Sequence, residues 1–339
     1  MKAVQIPKPG EARLIDLPEP TPADGEVLVK VNTVGYCGTD LSTFRGANPL
    51  VQYPRVPGHE IAATIAAFGP GVSTELTAGQ HVLVFPYTEC GRCAACRTGR
   101  PNCCQHNQTL GVQREGALAE WACLPAEKLI AAPGLSDHEL ALVEPLTVGA
   151  HAAARGGVSS SDSVLVFGCG AIGLGVIAAA AHRGGRVIAV DIDDHKLALA
   201  AKCGAAECVN SQREDLAHRA EQLTEGLGPQ VVIEAVGLPQ TFRAAIDLVA
   251  YAGRVVYVGY AKAPVEYETK YFVMKELDIR GSRNALRADF KQVIGMLQKK
   301  TLPVDEIVSR TVGLTDACDA LAQWAASPSE VTKIHVRLE

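Results

Sequence analysis

Cys90, Cys93, Cys96, Cys103 and Cys104 crowd one short stretch of the chain. Four thiolates in the pattern C-x2-C-x2-C-x7-C can close a tetrahedron around one Zn2+, and the glycines and polar residues between them cannot form a core of their own. Every ligand position is then a thiol and none is left for water, so such a zinc is structural. Spacing alone leaves either Cys103 or Cys104 as the fourth ligand, and the plainer alternative is a loop of reduced cysteines. A second constellation is spread through the chain. Cys37 lies in GYCGTD, His59 and Glu60 in PGHE, and Glu144 in VEPLTVGAHA, each with glycine or proline beside it. Thiolate, imidazole and carboxylate are the ligand types of a catalytic zinc, which keeps one position open. Singly, each residue has a duller reading as a buried thiol, a turn residue or a solvated acid.

The third constellation is Gly168-Cys169-Gly170-Ala171-Ile172-Gly173. An apolar, β-branched run from Val164 to Phe167 precedes it, a helix from about Ile172 to His182 follows, and a second strand, Arg186 to Val190, ends on Asp191. In that order the glycines serve a tight turn, close approach of backbone to a pyrophosphate, and close packing of helix on sheet. The helix start offers unpaired N–H groups to phosphate. Asp191 stands where a carboxylate accepts hydrogen bonds from ribose hydroxyls and repels a 2′-phosphate, which favours NAD over NADP.

The elements that must position these groups divide in two. A chain of 339 residues exceeds one ordinary core, so two domains are expected. Met1 to about Asp24 suits short antiparallel strands. Glu26 to Asn32 is a clear strand that runs into the Cys37 loop, and Ile61 to Ala67, Gln80 to Phe85 and Ala117 to Leu129 continue a β-rich domain. Beyond Asp191 strands alternate with helices. Glu207 to Asn210, Val231 to Glu234, Arg254 to Val258 and Leu277 to Arg280 are the strands. The helices are Asp194 to Lys202, Asp215 to Leu223, Thr241 to Ala250 and Asp289 to Lys299. With the two earlier strands this makes six parallel strands in a doubly wound α/β sheet, whose ligands bind beyond the strands' carboxyl ends. Lys333 to Leu338 reads as a strand returning to the first domain.

Composition narrows the partners. With 32 basic against 37 acidic residues and a pI near 6.0, no basic field invites nucleic acid or membrane. The N-terminus has no signal-like apolar core, and the longest apolar run, around Ile172 to Ala181, falls short of the ~20 residues a bilayer requires. A cytoplasmic protein is expected, where clustered cysteines point to metal or catalysis rather than disulfides.

GYCGTD, PGHE, the four-cysteine loop, VEPLTVGAHA and VLVFGCGAIG, taken together over essentially the whole chain, resemble the zinc-dependent medium-chain alcohol dehydrogenase superfamily, in the branch of sorbitol, threonine and sugar-acid dehydrogenases. The resemblance implies a β-rich GroES-like catalytic domain over 1–147 and 287–339, a Rossmann NAD-binding domain over 148–286, and an active site in the cleft between them. It implies a catalytic zinc on Cys37, His59 and Glu144 with Glu60 as a close or exchanging fourth ligand, and a structural zinc on Cys90, Cys93, Cys96 and Cys104. It places NAD contacts on Ile172, Asp191, Lys196, Val258, Gly259, Tyr260, Ser282 and Arg283, beside Gly168, Gly170 and Gly173 of the turn. It further implies oxidation of a secondary alcohol to a ketone by hydride transfer to NAD, and a homodimer or homotetramer. YPRVPGHE, GRPNCC, LGVQREGALAEW and RGSRNALRADF are most similar to dehydrogenases of sugar acids, of the L-galactonate or L-gulonate 5-dehydrogenase kind. A threonine- or diol-type dehydrogenase is the alternative substrate class, and a non-catalytic NAD-binding sensor the alternative of another kind.

One departure stands out. The family follows CGTD by one residue and a histidine that passes the alcohol proton to solvent from the hydroxyl matched by Thr39, but this chain has Ser42 there. A serine is no base near neutral pH, so the relay needs water, a ribose hydroxyl or another residue. A carboxylate substrate calls for a cation, for which Arg283 and Arg114 are the nominees. Tyr36, Phe44 and Trp121 are aromatic residues that line a pocket or simply pack.

Overall fold

The computed structural model describes residues Met1–Leu338. The chain forms two compact units, one of Met1–Glu144 joined by the residues from Val304 on, the other Pro145–Pro303.

The first unit is built on the long strand Glu26–Tyr36. Val27, Val29 and Val31 alternate inward and are fully buried, while the intervening Lys30 is exposed, the period-2 pattern of a half-buried strand. It pairs antiparallel with Glu60–Phe68, with Trp121–Pro125 and with the returning Ile334–Arg337. Among the described residues this sheet has seven strands, extended by Arg310–Gly313 at one edge and by His81–Val84 and Leu129–Ala131 at the other. Ile61, Ile65, Ile334 and Val336 join the valines in one apolar core. Register decides what meets at the strand's end. Gly35 is opposite both Glu60 and His335, so the loop to Cys37, the start of the Glu60 strand and the start of the returning strand converge.

The second unit is a parallel sheet in the order Glu207–Asn210, Arg186–Asp191, Ser163–Phe167, Val231–Glu234, Arg254–Tyr257, Asp278–Gly281. Strands such as Val231–Glu234 are buried along their whole length, as a sheet covered on both faces requires. The strand order reverses between Ser163–Phe167 and Val231–Glu234, the switch point at which doubly wound sheets bind ligands. Helix Arg287–Gln298 belongs to this unit, so the break expected at residue 287 lies after Pro303. The helix buries Phe290, Val293, Met296 and Leu297, and its Asp289 Oδ2 lies 2.8 Å from His151 Nδ1. Helix Asp137–Gly156 carries Pro145 within it. No helix among the described residues is long and apolar enough to cross a membrane.

Candidate metal sites and dinucleotide turn

In the first unit one ligand atom each from Cys37, His59 and Glu60 lies within 4.8 Å of the others. Cys37 caps helix Gly38–Phe44, and its N–H donates to Asp40 Oδ2 at 2.8 Å, so the helix start fixes the thiol. Thr39 Oγ1 is 3.6 Å from Cys37 Sγ. His59 directly precedes strand Glu60–Phe68 and Glu60 opens it, both buried. Glu144 is buried in helix Asp137–Gly156, where its Oε1 accepts the Tyr87 hydroxyl. Burial disfavours the His59 charge, but Cys37, Asp40 and Glu144 more than offset it and raise the imidazole pKa well above its ordinary value. Its Nδ1 is buried without a hydrogen-bond partner. A concentrated negative field with thiol, imidazole and carboxylate donors is what a divalent cation neutralises, so the residues fit a zinc.

Glu60 has a partner that no sequence motif announces. Lys333 Nζ donates to its two carboxylate oxygens at 2.6 and 2.7 Å and to the Tyr36 carbonyl at 3.1 Å, with both side chains sealed from solvent. Gly35 makes room for this pair, since a Cβ there would lie 2.0 Å from Glu60 Oε2. The signal in the sequence is faint: Lys333 directly precedes strand Ile334–Arg337, whose first three residues are buried. Tyr36 and Phe44 are core residues rather than pocket lining. The Tyr36 hydroxyl donates to the Ala317 carbonyl, and both rings join the apolar cluster. Trp121 is partly buried at the start of its strand.

Cys90, Cys93, Cys96 and Cys104 also bring their sulfurs within 4.8 Å of one another. Cys93 Sγ lies 3.5 Å from Cys96 Sγ and 3.9 Å from Cys104 Sγ, while the Cys90 and His106 N–H groups donate to Cys104 Sγ. The short helical turn Pro101–Cys103 selects the fourth member, turning Cys104 inward and leaving Cys103 beside Arg100. Backbone N–H groups of Cys96 and Gln105 lower the Cys93 thiol to about 6, and burial raises Cys96 to about 11. Four sulfurs with amide donors around them fit a zinc cage.

In the second unit the glycine turn joins strand Ser163–Phe167 to helix Ala171–His182. Gly168, at φ +90°, ends strand Ser163–Phe167, and Gly170 caps helix Ala171–His182 with open space where its Cβ would be. A Cβ on Gly173 would meet the Gly168 carbonyl at 1.8 Å. Asp191 faces the turn: its Oδ2 accepts from Cys169 N at 2.7 Å and its Oδ1 from Ile192 and Asp193. Lys196 lies in the first turn of helix Asp194–Lys202, capped by Asp193. Val258, Gly259 and the exposed Tyr260 follow strand Arg254–Tyr257, and Ser282 with Arg283 follows Asp278–Gly281, so all stand at carboxyl ends of parallel strands. Ser282 Oγ is buried and unpaired. Glu234, missed in the sequence, ties these loops together. Its Oε1 accepts from Val236, Gly237 and Thr241, and its carbonyl from Val258 and Gly259.

Known proteins are similar to this chain in sequence and fold. Residues 23–134 match the alcohol dehydrogenase GroES-like domain and residues 171–299 the zinc-binding dehydrogenase domain. A zinc-type alcohol dehydrogenase-like protein of Haemophilus influenzae is 33% identical, with 99% of this chain and 98% of that one covered. The L-galactonate-5-dehydrogenase of Escherichia coli is 33% identical over 86% of this chain and 85% of its own. A crystal structure of an Escherichia coli alcohol dehydrogenase, rspB, complexed with NADH, superposes with a TM-score of 0.91 at 32% identity, covering 100% of this chain and 99% of that one. The chain belongs to the zinc-binding alcohol dehydrogenase family. It is an oxidoreductase with the GroES-like and Rossmann-type folds of that family.

Proposed function

We propose that the protein oxidises a secondary alcohol of a sugar acid or polyol to a ketone, with transfer of hydride to NAD. The observation that carries this reading is the convergence of Cys37, His59 and Glu60 on one point, in a chain whose other unit presents the Gly168–Gly173 turn to Asp191. Similarity to the L-galactonate enzyme supports the substrate class, and similarity to the NADH complex supports the coenzyme.

Cys37, His59 and Glu144 hold the catalytic zinc in this reading, with Glu60 beside it, and Cys90, Cys93, Cys96 and Cys104 hold the structural one. A zinc at the first site supplies Lewis acidity that lowers the pKa of the substrate hydroxyl. Thr39 Oγ1, beside Cys37, accepts the hydroxyl proton and hands it on by a route other than residue 42, because Ser42 is no base near neutral pH. Tyr87 orients Glu144 through its hydroxyl, and Lys333 holds Glu60 through two short hydrogen bonds in a buried setting. Asp191 receives the ribose hydroxyls and discriminates against a 2′-phosphate. The balance is alcohol and NAD+ to ketone, NADH and one proton. A cytoplasmic homodimer or homotetramer belongs to the same proposal.

The experiment is an NADH-formation screen of the zinc-replete protein across sugar acids, polyols, vicinal diols and threonine, with zinc counted per chain. Two zincs and turnover of a sugar acid or polyol are expected. Turnover confined to threonine or simple diols overturns the substrate class, and a single zinc with no turnover of any alcohol points instead to a nucleotide sensor.

A further inference from the structure

Arg114 lies in a loop held tightly against the segments that deliver the metal-ligand residues. On one flank Leu110 N donates to Pro86 O at 3.1 Å and Gln108 N to Thr88 Oγ1 at 2.7 Å, pinning the loop to either side of Tyr87, the partner of Glu144. On the other flank Gly116 N donates to Val56 O at 2.8 Å, and Ala117 and Leu118 pair with Gly58 and Pro57, the residues directly before His59. The backbones approach so closely that a Cβ on Gly111 would lie 2.6 Å from Gly58 N, and one on Gly116 2.3 Å from Pro57 O. Arg114 is therefore carried on a rigid loop beside the turn that presents His59 and Glu60.

Among the described residues its guanidinium has no counter-ion. Glu115, the adjacent acid, is committed to Arg55 Nη1 at 2.8 Å and to Val56 N at 2.7 Å. Among the described residues no carboxylate pairs with Arg114, and its Nε is buried without an acceptor. Burial also lowers its pKa, so its charge is held against a desolvation cost. A partly desolvated cation with an unused donor is an incomplete hydrogen-bonding group, and the guanidinium fork matches a carboxylate or phosphate in two-point contact.

We propose that Arg114 is a specificity-determining residue that binds the anionic end group, carboxylate or phosphate, of the alcohol substrate. The inference rests on the dehydrogenase reading and narrows it to charged sugars. A site that leaves a cation unpaired with the wrong ligand rejects that ligand more strongly than a purely apolar pocket can.

The test compares the zinc-loaded, NADH-bound protein with its Arg114→Ala and Arg114→Lys variants, titrating D-gluconate, D-glucitol 6-phosphate and uncharged D-glucitol calorimetrically. Zinc content and melting confirm that each variant is folded. The wild type should prefer one of the two anions over D-glucitol, gluconate marking a carboxylate site and the phosphate ester a phosphate site. In Arg114→Ala that preference should fall roughly 10- to 100-fold, with Arg114→Lys in between. The ratio of kcat/KM for the preferred anion to that for D-glucitol should fall in step. A preference unchanged within about twofold in both folded variants, or absent from the wild type, overturns the role. Absence of NADH formation with every alcohol refutes the dehydrogenase reading instead, and calorimetry still decides whether Arg114 binds the anion.

Discussion

Replacing Lys333 by Met removes one half of an ion pair that water does not reach. Glu60 would be left among Asp40, Cys37 and Glu144 with both oxygens stripped of their 2.6 and 2.7 Å donors. Breaking a buried pair from one side costs about 3–5 kcal/mol, because the remaining charge is left uncompensated. For a unit of this size each kcal/mol lowers the melting midpoint by about 2–4 °C, which gives a fall of roughly 6–20 °C. Differential scanning calorimetry of the metal-free protein reads this directly and separates it from any change in zinc affinity. The double variant Lys333→Met with Glu60→Gln removes the orphaned charge and should recover half or more of the loss. A Lys333→Met midpoint within about 2 °C of the parent, or a double variant no more stable than the single one, would refute the argument that uncompensated charge dominates.

Four further outcomes are expected. Gly173→Ala forces a Cβ to within 1.8 Å of the Gly168 carbonyl and should weaken NADH binding, followed by fluorescence titration, about tenfold or more. Asp191→Ala removes the carboxylate that faces the glycine turn; kcat/KM for NAD should fall roughly 10- to 100-fold while NADP loses less, and parallel losses for both coenzymes would exclude a ribose role. Cys96→Ser should release one of two zincs per chain, measured by atomic absorption, and lower the melting midpoint. His335 is held neutral, its pKa pushed well below the ordinary value by burial and by Lys333 and His138. The unfolded chain then takes up the proton first, so stability from this site is complete above about pH 6.5 and is lost as pH falls below it, by about 1.4 kcal/mol per pH unit. His335→Val should flatten that acid slope in melts between pH 7 and 5.

What the sequence disclosed and what it withheld follow from the range of the interactions. The glycine turn, the Asp191 strand end and the four-cysteine loop are short-range constellations, and a chain that places Gly168, Gly170 and Gly173 between a strand and a helix leaves few other uses for them. Cys104 over Cys103 was not decided by spacing, because a one-residue difference is settled by the turn Pro101–Cys103, which exists only once the backbone is folded. Lys333 and Glu60 stand 273 residues apart, and nothing local distinguishes that lysine from a solvated one at a strand edge. The same holds for Tyr87, which meets Glu144 across 57 residues. Helix Arg287–Gln298 was expected near its place, but its amphipathic pattern fixes which face is buried and not what it is buried against.

That division has a functional meaning. The metal-ligand types could be read directly, yet three of the four candidates are held by groups that could not: Glu60 by Lys333, Glu144 by Tyr87, Cys37 by Asp40. These outer groups set charge and orientation at the ligands, and such partners commonly account for 10- to 100-fold in metal affinity or activity. If the outer groups govern the metal and Thr39 governs the first proton transfer, Tyr87→Phe should alter zinc affinity far more than it alters the pH profile of turnover. Thr39→Val should do the reverse.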